Sequence, residues 1–409
     1  MSRRVEPDRQ YFVNEAQKEI FALQGLNEGV EYNFYNTPLT TLPGHLSTFE
    51  GGWDNKDVLV MLHGYAGSNA FWFKMFPSLL THFHVYAFDL YGFGASYRPK
   101  LDIKTPEEAI EIYTRSIEEW RQNLNLKDFY ICGHSMGAFL TNHYLHRYGE
   151  TGEFKIQGVF MLSPAGSTLA TNVEKEKFLQ KYSWFKARVM QCISYLVFEA
   201  RCSPMNTFFL CANKSKFLRK TFNAPDLGFT KEESEVFLKY YLANLEYGAQ
   251  GMGLLGFFID YGRHSKIPWD IFINDLVQKY NYVFIYGDKD WMDPSNIIKM
   301  MESFPADNKC QVIQIVPQGG HMMPLECPTG TADVIKEFHQ VFRKRNENPL
   351  QIILDAEQII IKSKREIAQG YIEPGPNQKL KKSKKKLRVS TSRFAPGPFT
   401  AIQGSPETP

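Results

Sequence analysis

Residues 133–137 read Gly-His-Ser-Met-Gly and follow the apolar run Phe129-Tyr130-Ile131-Cys132. A serine between two such glycines, where a strand hands over to a helix, is the pattern of a nucleophile elbow. The turn is tight enough that a side chain at Gly133 or Gly137 would collide with neighbouring backbone. It also forces the serine into a strained conformation that presents its hydroxyl at the top of the sheet. The helix expected from Ala138 to about Tyr148 aims its N-terminal N–H groups at that point, where they stabilise developing negative charge. The pattern nominates Ser135 as a nucleophile.

Acyl transfer by a serine needs a base, an acid to orient the base, and donors for the oxyanion. On this architecture the chain order is serine, acid, histidine. The acid is expected after the apolar run Tyr282–Tyr286, which leads into Gly287-Asp288-Lys289-Asp290-Trp291-Met292-Asp293. Gly-x-x-Asp there nominates Asp290, with Asp293 as the competing carboxylate. Of ten histidines, His321 has the right place, at the end of Gln318-Gly319-Gly320-His321 after the run Gln311–Val316. The oxyanion donors are expected to be backbone N–H groups, one from Met136 and one from Tyr65 in the loop His63–Ser68. The set calls for no metal and no cofactor. The run Asp89–Ser96 contains Gly-x-Gly but has Tyr97 where a dinucleotide loop needs its third glycine, so it reads as a structural turn.

These residues must be held by a sheet. The β-rich segments are Val58–His63, Val85–Leu90, Phe129–Gly133, Gln157–Leu162, Tyr282–Tyr286 and Gln311–Val316. They alternate with helical patterns near Phe71–Leu80, Pro106–Leu124 and Ala138–Tyr148, and the last strand leads to Thr331–Arg345. Glu31–Tyr35 and His45–Glu50 would add an antiparallel edge. From about Ser167 to Asp275 only helical patterns occur (Lys181–Ala200, Lys231–Tyr247, Trp269–Val277), and an insertion there would cap the carboxyl ends of the strands. The expected organisation is an N-terminal extension (1–30), a first core part (31–166), a helical cap (167–278), a second core part (279–361) and a basic, disordered tail (362–409). The fold class is α/β, an α/β-hydrolase fold with a mostly parallel sheet, helices on both faces and a helical cap.

Composition narrows the function further. Residues 362–409 hold eleven Lys or Arg against three Glu, a net of +8 that leaves −5 on the body of a chain carrying +3 overall. An acidic body argues against nucleic-acid binding. The aromatic share of 14% suits an apolar cleft as well as a core. The six cysteines form no C-x-x-C pair. The first residues lack a secretory apolar stretch, and no run spans a membrane, so the expected location is intracellular, cytoplasmic or peripheral on a membrane, with mitochondria as the alternative. The run Trp184–Phe198 mixes bulky apolar groups with Lys186 and Arg188. It reads either as a helix packed on the body or as one lying in a headgroup layer. The basic tail reads as a tether to anionic lipid, a nuclear-targeting run, or a solvated end.

The segments His63-Gly64-Tyr65, Asp89-x-x-Gly-x-Gly-x-Ser, Gly133–Gly137 and Gly-x-x-Asp…Gly-His together resemble the α/β-hydrolase family across residues 45–345. Leu162-Ser163-Pro164-Ala165-Gly166, Tyr286–Asp293 and the size of the cap are similar to a subfamily of N-acylphosphatidylethanolamine lipases, cardiolipin deacylases and lipid-droplet lipase coactivators. The resemblance implies a serine hydrolase cleaving acyl esters of phospholipids or lysophospholipids. The alternatives are a carboxylesterase or peptidase on the same fold, or a non-catalytic partner of lipids or lipases. Relatives with His-x-x-x-x-Asp are linked to lysophospholipid acyl transfer; here His321 is followed at that spacing by Glu326, which weighs against the transferase. Epoxide or haloalkane hydrolysis would need an aspartate at position 135.

Overall fold

In the computed structural model, the described residues are 7–99, 103–169, 214–223, 227–247, 259–260, 264–292, 294–302 and 311–347. The expected helix Lys181–Ala200, the run Trp184–Phe198, the tail 362–409 and Asp293 lie outside them.

Eight strands build one sheet: β1 (Tyr32–Pro38), β2 (His45–Gly51), β3 (Val58–Leu62), β4 (His84–Phe88), β5 (Asp128–His134), β6 (Lys155–Leu162), β7 (Tyr282–Gly287) and β8 (Gln311–Val316). Their order across the sheet is β1-β2-β4-β3-β5-β6-β7-β8. The pairs β1–β2 and β2–β4 are antiparallel, and every other pair is parallel. The chain reverses direction across the sheet between β3 and its neighbours, so the crevice of an open parallel sheet falls at the carboxyl ends of β3 and β5.

The central strands are apolar on both faces, as strands covered by helices on two sides must be. Val60, Leu62 and Ile131 point into one core, while Leu59, Met61 and Cys132 point into the other. Helices α2 (Pro106–Asn123) and α3 (Met136–Tyr148) cover the first face through Tyr113, Trp120, Phe139 and Tyr144. Helices α1 (Pro7–Ala22) and α5 (Pro328–Glu347) cover the second through Val13, Phe21, Ile335 and Phe342. Thr105 caps α2 by accepting from Glu108 N, and the Glu108 carboxylate accepts from Lys104 N, so two donors at the helix start are satisfied.

Three segments differ from the sequence reading. The N-terminal extension contains α1, whose buried face (Val13, Ala16, Gln17, Ile20, Phe21) has helical spacing but includes a glutamine and an alanine. The single helix expected at Phe71–Leu80 is a 3₁₀ turn, Asn69–Trp72, followed by the short helix Phe76–Leu79. Pro77 has no N–H to continue the ladder; at the start of the turn, Asn69 N and Ala70 N, which have no intrahelical acceptor, are satisfied by Asp89 and Gln17. Trp269–Val277 likewise divides at Phe272 (φ −131°) into a 3₁₀ turn and the helix Ile273–Lys279. Between β6 and β7 lie the helices Lys214–Phe222 and α4 (Lys231–Tyr247), and a two-residue antiparallel pair, Ile259–Asp260 with His264–Ser265. No helix among the described residues is long and apolar enough to cross a membrane.

Candidate active site

Strand β5 ends at His134 and α3 begins at Met136, so Ser135 is the whole connection. Its backbone sits at φ 52°, ψ −111°, where an L-residue is strained. Surrounding bonds hold it there. Ser135 N donates to Leu162 O at 2.9 Å, and its carbonyl accepts from Phe139 N at 3.1 Å and Ala165 N at 3.2 Å. The two glycines are sterically required: a Cβ on Gly133 would fall 2.6 Å from Ala138 N, and one on Gly137 would fall 2.3 Å from Leu62 O.

His321 lies in the turn after β8, and its Nε2 is 3.0 Å from Ser135 Oγ. Its Nδ1 is 3.3 Å from Asp290 Oδ1, in the turn after β7. That carboxylate is further held by Met292 N at 2.9 Å and is almost fully buried. The two turns touch because Gly287 and Gly319 approach backbone to backbone; a Cβ on Gly287 would lie 2.0 Å from Gly319 O. Lys289 N then donates to Gly319 O at 2.8 Å. Ser135, His321 and Asp290, distant in sequence, are thus one hydrogen-bonded chain. Met136 follows the serine as the first residue of α3, and Tyr65 lies three residues past the end of β3.

The loop carrying Tyr65 is built with care. Gly67 N donates to Gly64 O at 3.0 Å, closing a turn that puts Ala66 at φ 57°. Tyr241 of α4 donates to Ala66 O at 2.8 Å. His63 is buried, gives Nδ1–H to Gly64 O at 2.7 Å and accepts Leu90 N on Nε2 at 2.9 Å. Burial pushes its pKa down to about 4, which keeps the ring neutral for both bonds. Asp89 anchors the flank, accepting from Asn69 N (2.7 Å), Ala95 N (2.7 Å) and Gln17 Nε2 (2.8 Å). Burial lifts this carboxyl to about 6 despite those donors.

Four residues beside the site were not assigned a role from sequence. His134, inside the serine motif, donates Nε2–H to the His321 carbonyl at 2.8 Å; burial first, then the neighbouring His321, pushes its pKa down to about 3. Glu326 accepts from Gly320 N, immediately before the base. Trp291 stands over the His321 ring at 4.5 Å, itself 55% exposed. Ser163 bonds to both Asp290 and His321. His134, Ser163 and Trp291 stand inside the segments Gly133–Gly137, Leu162–Gly166 and Tyr286–Asp293, and Glu326 lies five places after the base, so each position was marked in the sequence while its contacts were not.

The model of the alpha/beta hydrolase fold family matches residues 57–328. A relative from Arabidopsis thaliana named "1-acylglycerol-3-phosphate O-acyltransferase" is 26% identical over 310 residues, 74% of this chain and 71% of that protein. "1-acylglycerol-3-phosphate O-acyltransferase ABHD5" of Homo sapiens is 43% identical over 118 residues, 29% of this chain and 32% of that protein. Among solved structures, a membrane phospholipase A described as a bacterial virulence factor aligns with TM-score 0.54 at 16% identity, covering 82% of this chain and 91% of that one. The naproxen esterase of Bacillus subtilis aligns with TM-score 0.52 at 16% identity, covering 81% and 96%. At these identities the structures speak to the fold.

Proposed function

The chain belongs to the alpha/beta hydrolase fold family, and from that premise we propose that it is a serine hydrolase of phospholipid or lysophospholipid acyl esters. The observation that carries the reading is the 3.0 Å contact of His321 Nε2 with Ser135 Oγ, backed by Asp290. Ser135 attacks the ester carbonyl while His321 Nε2 takes its proton. The Tyr65 and Met136 N–H groups hold the oxyanion, an interaction whose loss typically costs about 3 kcal/mol of barrier. Protonated His321 then gives its proton to the leaving alcohol, and water, activated by the same base, clears the acyl-enzyme. The lipid class rests on the relatives named for acyl transfer to 1-acylglycerol-3-phosphate, a glycerolipid.

A second reading comes from the same names: an acyl-enzyme released by a 1-acylglycerol-3-phosphate hydroxyl in place of water is a transferase intermediate. One experiment separates the readings. The full chain and Ser135→Ala are treated with a fluorophosphonate probe, then with phospholipid vesicles with and without lysophosphatidate. Serine-dependent labelling with release of free fatty acid supports the hydrolase. Serine-dependent acyl transfer to lysophosphatidate supports the second reading. Absence of labelling in the folded protein overturns both and favours a non-catalytic lipid-binding role. Peripheral docking on anionic membrane through the cap and the basic tail belongs to the same proposal, and flotation of the full chain with anionic vesicles tests it.

A further inference from the structure

The hydroxyl of Ser163 sits between the base and the acid. Its Oγ is 2.7 Å from His321 Nδ1, whereas the direct contact of Nδ1 with Asp290 Oδ1 is 3.3 Å. The same hydroxyl donates to Asp290 Oδ2. A hydroxyl has one hydrogen and an ionised carboxylate has none, so that hydrogen points at Asp290 and the serine lone pair faces Nδ1. The chain of donation is therefore His321 Nδ1–H to Ser163, and Ser163 O–H to Asp290. A contact of 2.7 Å is well inside hydrogen-bond range and one of 3.3 Å is at its outer edge, which makes the serine the principal acceptor.

The backbone around Ser163 is as constrained as that around the nucleophile. Ser163 is fully buried at φ 46°, in the left-handed region that glycine would adopt without strain, and its N–H donates to Ile285 O at 2.7 Å. A serine held in that conformation, with its hydroxyl committed to Asp290 and His321, answers to the site and not to packing.

We propose that Ser163 is a positioning residue that relays the orienting effect of Asp290 to His321, resting on the reading of Ser135, His321 and Asp290 as an acyl-transfer triad. It holds the proton on Nδ1, so that Nε2 is the acceptor for Ser135 Oγ. When Nε2 takes the serine proton, Nδ1–H stays in place and the imidazolium is stabilised by the serine oxygen and, across it, by the carboxylate. No proton leaves Nδ1 during the cycle.

The test uses the full chain with Ser163→Ala and Ser163→Gly, a water-soluble acyl ester, and the low-field proton resonance of His321 Nδ1–H. Both variants lose the hydroxyl, but glycine also relieves the φ 46° strain. The expected result is a drop in kcat of about 10–100-fold in both, with KM within twofold. The acid limb of the kcat/KM profile moves by half a pH unit or more, and the low-field resonance shifts. Turnover and acid limb unchanged from an active wild type would overturn the relay. So would activity lost in Ser163→Ala and restored in Ser163→Gly, since the cause would then be the backbone. A wild type that cleaves no ester removes the triad reading instead, and the resonance in wild type against Ser163→Ala still decides the hydrogen bond.

Discussion

Tyr241 reaches from α4 to donate its hydroxyl to the carbonyl of Ala66 at 2.8 Å, and so ties a helix inserted between β6 and β7 to the loop that follows β3. That carbonyl belongs to the Gly64–Gly67 turn, which also carries Tyr65. The same α4 packs against α1, whose Gln17 bonds both Asp89 and Ala70 N. Tyr241 therefore couples α4 directly to the loop that carries Tyr65.

Tyr241→Phe keeps the ring in the aromatic cluster with Phe71 and Phe222 and removes only that hydroxyl. Leaving the Ala66 carbonyl without this donor costs about 1 kcal/mol of stability. It also lowers kcat about ten-fold through a loosened oxyanion loop. Steady-state turnover of a soluble ester, with a urea unfolding curve, reads both; full activity in the variant would show that the loop holds its shape unaided.

Asp290→Asn keeps its oxygen on Met292 N and turns its amide N–H toward Ser163 Oγ, so the serine hydrogen points at His321 Nδ1 and favours the wrong tautomer. The expected loss in kcat is about 10⁴-fold, with most of the fold's stability retained. Asp293→Asn, altering the rival carboxylate, leaves kcat within a few-fold of wild type. Reversal of the two results in a side-by-side fluorophosphonate labelling assay would reassign the acid.

Glu326 is the residue five places after the base, and its carboxylate accepts the Gly320 N–H. Its geometry is that of a loop pin. Glu326→Gln still offers an amide oxygen and is expected to keep at least a third of wild-type kcat, whereas Glu326→Ala drops it about 10–100-fold by letting His321 drift from Ser135. Equal loss in both variants would mean that the negative charge itself is required.

Much of this was legible in the sequence, for identifiable reasons. The strands from Val58 to Val316 are buried on both faces, so their apolar runs stand out, and each triad residue follows one of them. Gly133 and Gly137 are legible because the elbow tolerates nothing larger. Helix α1 escaped notice because its buried face spends Gln17 on Asp89, and a polar residue in an apolar stripe hides the periodicity. The break at Pro77 was readable in principle, whereas the bonds from Asp89 and Gln17 that cap the turn come from distant segments. Ser163 and His134 stand in recognisable motifs, but their contacts arise only when β5, β6, β7 and β8 bring them within reach of Asp290 and His321.

Buried histidines set how stability follows pH. Burial pushes His63 down to about 4 and His134 and His143 down to about 3, from an ordinary value of 6.5. Below 6.5 the unfolded chain takes up protons that these folded rings refuse, so their contribution is full above that pH and falls as the pH drops toward 4. Each contributes a slope of at most about 1.4 kcal/mol per pH unit. His45, His82 and His339 are lowered as well and act in the same direction. Asp89 opposes them: raised by burial to about 6 from 3.8, it holds a proton in the folded state across that window and offsets one histidine. Below 4.5 a further loss begins at Glu50, where bonds from His84, Tyr35 and Tyr86 outweigh burial and hold the carboxyl at about 2. Urea midpoints should therefore fall continuously from pH 7 to pH 4.5, and His143→Gln, which keeps a donor for Ile267 O, should flatten the slope by about one proton. A midpoint that stays level across that range would mean that the buried imidazoles ionise without cost.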